Sequence, residues 1–261
     1  MTTRTSGPEP PDYGIDAPAV IRNLVIVGVI GVSTWSAVRL AVWSGRVVPT
    51  PILGFAGMAF GTGLLCIVMA FWILWESKIG KMRTRDRLLA RVSWTGHERV
   101  LDVGCGRGLL LIGAAKRLKT GRAIGIDIWQ AEDLTGNNAN ATLENARREG
   151  VADRVEVQTA DMRQMPFTDS SFDLVLSRAA IHNIYTAEGR AAAIREIARV
   201  LKPGGQVVIE DIRHLRQYIR IFSENGCTNI QRGGSLFAYT FFTIVTFGSL
   251  RPSTLLVRKS A

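Results

Sequence analysis

Three cysteines and three histidines are all that the 261 residues supply. Cys66, Cys105 and Cys227 stand far apart with no CxxC spacing, and His97, His182 and His214 are equally scattered. A zinc or iron centre needs such ligands grouped by spacing, so no metal site is expected. Dispersed thiols also point to a reducing compartment rather than a disulfide framework. Acid is scarce too: 22 Asp and Glu against 32 Lys and Arg leave a formal charge of +10. That surplus raises nucleic acid or an anionic membrane as a partner. The aromatic-basic interleaving of a nucleic-acid face is missing, so no nucleic-acid partner is expected.

Charge is absent altogether from residue 52 to residue 75, a run of 24. About 20 apolar residues suffice to cross a bilayer. Residues 20–43 are also largely apolar, interrupted by Arg22 and Arg39 near the two ends, where a long side chain can reach the surface. The Pro-containing turn SGRVVPTP joins the two runs, which together read as a transmembrane helical hairpin. A signal peptide would open on basic residues, whereas the leading tail carries Glu9, Asp12 and Asp16. A helix of a soluble core would keep a polar face, and 52–75 has none. Gly57 and Gly61 give a GxxxG spacing suited to close packing, and Trp35, Trp43, Trp72 and Trp75 include several near the expected membrane edges. Lys78, Lys81, Arg83, Arg85, Arg87 and Arg91 follow the second run, against Arg46 alone in the turn. That asymmetry puts both chain ends in the cytoplasm, and the same basic run is suited to anionic lipid. The expected organisation is a flexible tail (1–19), the hairpin (20–76), a basic juxtamembrane helix or linker (77–98) and a larger domain (99–261).

That domain opens on VLDVGCGRG (100–108), followed at once by LLLIGAAKRL. A short apolar, β-branched strand runs into a helix through Gly104, Gly106 and Gly108, where the chain turns sharply and a ligand meets bare backbone. IGIDIW (124–129) reads as a second strand ending in Asp127, about twenty residues on, where an acid meets ribose hydroxyls. The spacing suits a dinucleotide or an adenosyl ligand. Two features favour the adenosyl one. Leu109 stands where the third glycine of a dinucleotide fingerprint would fall, and Asp102 suits a cationic amino-acid tail better than a pyrophosphate.

With TADMRQMPFTDSSFDLVLS (159–177) and RVLKPGGQVVIED (199–211) following in order, the chain resembles a class I S-adenosylmethionine-dependent methyltransferase. The similarity runs roughly from Arg85 to Arg232 and is to the small-molecule type that includes the ubiquinone and menaquinone C-methyltransferases. It implies an α/β, Rossmann-like methyltransferase fold, a mostly parallel seven-stranded sheet with helices on both faces, here preceded by two transmembrane helices. It also implies S-adenosyl-L-methionine as cofactor. Gly104, Cys105, Gly106 and Gly108 would hold its amino-acid end with Asp102 assisting, Asp127 with Ile128 the ribose, and Asp161 with Met162 the adenine. Trp129 either stacks near the adenine or covers the sheet edge. Ser177 ends the fourth strand on the ligand side, where SRAA replaces the NPPY-type element of adenine and glutamine N-methyltransferases. That departure favours a small molecule over DNA.

Further strands are expected at 154–158, 172–176 and 206–211, with the final two at TNIQRGG and STLLVRKS. Helices are expected at 131–149, up to about Val200, and at 214–225, with KPGG as a turn. His182, in the loop after the fourth strand with Arg178, Asn183 and Tyr185, is the candidate general base. A solvated or structural role is the alternative. The apolar insert 235–250 either packs under the sheet or forms a cap that lines a substrate pocket or touches membrane. The expected activity is methyl transfer to a small, lipophilic acceptor at a lipid bilayer. A catalytically silent, membrane-tethered binding module and a nicotinamide-dependent oxidoreductase are the alternatives.

Overall fold

The apolar residues of β1 (Arg99–Val103) lie at the middle of a seven-stranded sheet, with every residue after Arg99 buried. In the computed structural model, which describes residues 9–260, β1 pairs in parallel with β2 (Arg122–Asp127) on one side and β4 (Phe172–Arg178) on the other. β3 (Val155–Thr159) flanks β2 in parallel, and β5 (Leu201–Asp211) flanks β4. The last two strands, β6 (Cys227–Gly233) and β7 (Ser253–Lys259), run antiparallel, giving the order β3-β2-β1-β4-β5-β7-β6. Chain direction across the sheet reverses between β1 and β4, and ligands of such sheets bind outside the carboxyl ends at that switch point.

Parallel strands of one sheet are joined by right-handed crossovers as a rule, so a strand order that reverses between β1 and β4 calls for helices on both faces. Between β1 and β2 runs α4 (Leu109–Ala115), buried at six of its seven positions. α5 (Ala139–Arg148) follows β2, α6 (Ala187–Val200) follows β4, and α7 (Leu215–Glu224) follows β5. The largest core cluster joins Ile194 and Ile197 of α6 and Tyr218 and Phe222 of α7 to Val207, Ile209, Leu255 and Val257 of the sheet.

Three expectations change in this part of the chain. The helix expected over 131–149 begins only at Ala139, where Asn138 caps it by accepting from the Ala141 N–H at 2.9 Å. KPGG (202–205) is a bulge within β5 rather than a turn before it, because Leu201 pairs with Phe172 and Gln206 with Leu174. Residues 9–13, expected to belong to a flexible tail, are held on α5 instead. The Asp12 N–H donates to Asn145, Asn145 Nδ2 returns a bond to the Asp12 carbonyl, and buried Tyr13 donates to Glu149. Residues 1–8 of that tail lie outside the described residues.

A separate unit comprises Gly14–Arg83 with Gln130–Asn137. Its two long helices, α1 (Pro18–Trp43) and α2 (Thr50–Trp75), each have 26 residues and are long and apolar enough to cross a membrane. Most of their apolar side chains are exposed, Ile30, Leu40, Phe55, Met58 and Phe71 among them. They meet through glycine, but not through the GxxxG pair read from the sequence. A Cβ at Gly31 would lie 2.3 Å from the Ala59 carbonyl oxygen, and one at Gly63 would lie 2.9 Å from that of Gly28. Gly61 has nothing within 4 Å, and Gly57 only the Trp35 ring edge at 3.8 Å. After α2 a π-helical turn (Glu76–Gly80) leads into α3 (Lys81–Leu89). Lys81 is buried and donates to the Gly14 carbonyl and to Asp16, so this lysine of the basic run faces protein. In the same unit Asp16 bridges to Leu134.

Candidate active site

The glycines after β1 are needed for backbone geometry. Gly104, Gly106 and Gly108 have φ of 71°, 50° and 87°, the left-handed region that side chains disfavour. Close approach adds a second reason at Gly104. A Cβ there would lie 2.3 Å from Ala180 Cβ and 3.4 Å from Met162 Cε. The loops after β1, β3 and β4 therefore meet at one point on the carboxyl edge of the sheet.

Asp102 lies within β1, 2% exposed, and accepts from the Leu111 N–H at 2.8 Å, so it binds a free amide of α4's first turn. Burial, opposed by that hydrogen bond and reinforced by the Asp127 charge, raises its pKa to about 7. Cys105 is buried beside it, and burial pushes its thiol well up. Gly125 of β2 accommodates that thiol, since a Cβ there would lie 2.8 Å from Cys105 Sγ.

Asp127 ends β2 half-buried. Its Oδ2 accepts from the Gly106 N–H at 2.8 Å and its Oδ1 from the Trp129 N–H at 2.7 Å, tying the glycine loop to the turn after β2. Ile128 is 48% exposed at that turn. The Trp129 indole N–H donates to Thr159 Oγ1 at 2.8 Å, which sets the ring against the end of β3. Asp161 is gripped by Arg163, whose Nε lies 3.0 and 2.9 Å from its two oxygens, and that pairing lowers its pKa. Ser177 is buried and donates to the Val103 carbonyl at 2.8 Å, so its hydroxyl cross-links β4 to β1.

His182 is held by a group not singled out in the sequence. Its Nδ1 lies 2.5 Å from Asp211 Oδ1, an ion-pair approach off the line of a well-aligned hydrogen bond. Asp211, 1% exposed at the end of β5, also accepts from the His182 and Ile212 N–H groups and from the Tyr218 hydroxyl at 3.1, 2.8 and 3.1 Å. Burial and the Asp211 charge push the Tyr218 phenol up. Buried Arg190 fixes the following turn by donating to the Ile184 and Tyr185 carbonyls. Thr142 and Asn145 of α5 support the glycine loop by donating to the Gly106 and Arg107 carbonyls. A polar residue on the inner face of the helix after β2 was the available signal for both. No group of three or more His, Cys, Asp or Glu able to hold a metal occurs among the described residues.

Residues 101–209 match the family described as a methyltransferase domain. A methyltransferase, GfsG, of Streptomyces halstedii is 34% identical over 130 residues, covering 50% of this chain and 43% of that protein. A demethylmenaquinone methyltransferase of Lactiplantibacillus plantarum is 32% identical over 125 residues, covering 48% and 49%. The chain thus spans about half the length of these relatives or less. Among solved structures, the [4+2]-cyclase SpnF superposes with a TM-score of 0.54 at 21% identity, over 69% of this chain and 81% of that one, a likeness of fold. The ordered motifs, the sheet order and the family match agree, and the cofactor they bring is S-adenosylmethionine. This chain carries a class I S-adenosylmethionine-dependent methyltransferase domain.

Proposed function

We propose that the chain is a membrane-anchored methyltransferase acting on a small, lipophilic acceptor. The observation that carries this reading is the meeting of three loops at Gly104, with His182 and its buried Asp211 just beyond Ala180. The residues present fit an adenosyl ligand, because three left-handed glycines leave the loop backbone bare beside carboxylates on neighbouring strand ends. When bound, S-adenosylmethionine supplies a methyl group already activated on a sulfonium, so alignment and exclusion of water are the protein's main tasks.

In this reading the backbone at Gly104, Cys105, Gly106 and Gly108 takes the ligand's amino-acid end, with Asp102 behind it. Asp127 and Ile128 take the ribose, Asp161 and Met162 the adenine, with Trp129 at the rim. Asp161 must give up part of its grip on Arg163, an exposed pair that solvent screens and so holds only weakly. Ser177 acts indirectly, by fixing the Val103 carbonyl ahead of the loop.

His182 is assigned as general base for an acceptor that must lose a proton. Asp211 beside Nδ1 leaves Nε2 to accept that proton and stabilises the imidazolium that results. The acceptor's lipophilic character is argued from the exposed apolar faces of α1 and α2 and of α8 (Leu236–Val245), the helix within the insert. Membrane anchoring with both ends cytoplasmic rests on the same helices and on the excess of basic residues after α2 over the lone Arg46. The demethylmenaquinone relative makes quinone-type lipids the first acceptors to try.

A catalytically silent binding module is the second reading, favoured by Asp127 and Asp161 being bonded within their own chain. The test is transfer of labelled methyl from S-adenosylmethionine to membrane lipid extract by the full chain in detergent. Label entering the lipid phase, and falling about 100-fold or more in His182→Gln with cofactor affinity kept, is the expected result. Adenosyl binding without transfer to any extract would favour the silent module.

A further inference from the structure

Beyond Asp211 the chain lines a concavity of its own. A cavity of about 370 Å³ is bounded by Ile212, Arg213, His214 and the first turn of α7 on one side. Arg232, Gly248, Ser249 and Arg251 close the other. Four arginines (213, 216, 232 and 251) converge there, all exposed. Among the described residues none of the four has a carboxylate within 4.0 Å. Their partners are neutral. Arg213 Nε donates to the Ser249 carbonyl at 3.1 Å, Arg232 Nη2 to Ser253 Oγ at 3.1 Å, and the Arg232 guanidinium lies 5.3 Å over the Tyr239 ring. Most of each guanidinium's N–H groups are thus left for a ligand.

The local field is positive from a further source. α7 starts behind His214 with no side-chain cap, so its first N–H groups add the partial positive charge of a helix N-terminus. At His214 burial, and then the charge of Arg190, lower the pKa, with Arg213 and His182 acting the same way against Asp211. Like charges brought together without counter-ions repel, and planar guanidinium forks match phosphate oxygens.

We propose that this cavity binds the phosphate headgroup of an anionic membrane lipid. The lipid source follows from α8. Arg232 precedes that helix and Arg251 follows it, so the cavity's far wall and the apolar insert are one segment. The insert exposes Leu236, Phe237, Ile244 and Phe247 at 79, 67, 68 and 97%. A soluble phosphate gains nothing from those side chains. A lipid places its head among the arginines and leaves its chains against the insert, as for an interfacial helix. The volume agrees, since 370 Å³ lies at the low end of ligand-site sizes and admits a headgroup rather than a whole lipid. The choice of a lipid rests on the membrane reading above, whereas the anion site itself does not.

The experiment is calorimetric titration of the full chain, in non-ionic detergent, with dioctanoyl phosphatidic acid, dioctanoyl phosphatidylcholine and inorganic phosphate. The expected result is one saturable site for phosphatidic acid, at least tenfold tighter than either other probe. The Arg232→Gln/Arg251→Gln pair should weaken it at least tenfold while S-adenosylhomocysteine binding is kept. If that pair fails to fold, Arg216→Gln, on the exposed face of α7, should still weaken binding severalfold. Wild-type affinity in the folded variants would overturn the proposal. So would loss of binding in the juxtamembrane control Arg83→Gln/Arg87→Gln, and phosphate binding as tightly as phosphatidic acid would overturn the lipid source. Adenosyl binding without phosphatidic acid binding overturns this proposal alone. Phosphatidic acid binding without adenosyl binding overturns the functional reading alone.

Discussion

Replacing Asp102 by Asn should make stability less sensitive to pH, and the structure gives the sign. Burial raises the folded-state pKa of Asp102 from 3.8 to about 7. A carboxyl raised in this way binds its proton more tightly folded than unfolded. Its contribution is full below the unfolded pKa and is lost as pH rises through the folded one. The affected window therefore runs from about pH 4 to pH 7. A rise of about three units at about 1.4 kcal/mol each sets an upper bound of about 4 kcal/mol. Asn keeps a side-chain oxygen to accept the 2.8 Å bond from the Leu111 N–H and carries no charge. In a domain of this size the bound corresponds to about 8–16 °C in Tm. Thermal unfolding of both full-length proteins in detergent should show no gap near pH 4 and a growing advantage for Asp102→Asn up to pH 8. S-adenosylhomocysteine, whose ammonium would sit near Asp102, should narrow that gap at pH 8. A gap independent of pH, or a variant less stable at pH 8 than at pH 4 relative to wild type, would refute the reasoning.

Gly104→Ala forces a side chain into φ 71° and within 2.3 Å of Ala180 Cβ. Backbone strain alone costs about 1–2 kcal/mol; Tm should fall and adenosyl affinity should drop at least tenfold by calorimetry. Gly63→Leu would drive a side chain into the Gly28 carbonyl, so the α1–α2 contact should loosen, read as faster proteolysis within the hairpin, while Gly61→Leu should be silent. Asp211→Asn removes the charge beside His182 Nδ1. It should lower kcat with little change in cofactor affinity, because the imidazolium formed on proton transfer loses the carboxylate that stabilises it; steady-state kinetics beside calorimetry of S-adenosylhomocysteine checks both.

Local pattern made the strands on either side of the glycine loop legible, because β1 and β2 are short, mostly apolar runs, the first followed by Gly104 and the second closed by Asp127. The two long helices were legible for the same reason, and their boundaries fall within two residues of the apolar runs. What the sequence concealed is non-local. Asp211 was visible as the last residue of a motif, yet its pairing with His182 depends on β4 lying beside β5, 29 positions away. Asp12 and Tyr13 looked like tail because their partners on α5 lie more than 130 positions on. Gly57 and Gly61 have the right spacing, yet a Cβ at Gly57 would only brush the Trp35 ring of α1 at 3.8 Å and one at Gly61 would meet nothing within 4 Å, while Gly63 makes the close approach. Gly104 was read as space for a ligand, and it is equally space for Ala180 and Met162.

The central claim is that the glycine loop and its neighbouring strand ends bind an adenosyl sulfonium ligand within a functioning methyltransferase. Calorimetric titration of the detergent-solubilised full chain with S-adenosylmethionine, S-adenosylhomocysteine and NADH tests it most directly. Saturable binding of the adenosyl pair, absent for NADH and sharply weakened in Asp127→Ala, is the predicted result. Binding of NADH without the adenosyl pair, or of none of the three, would contradict it.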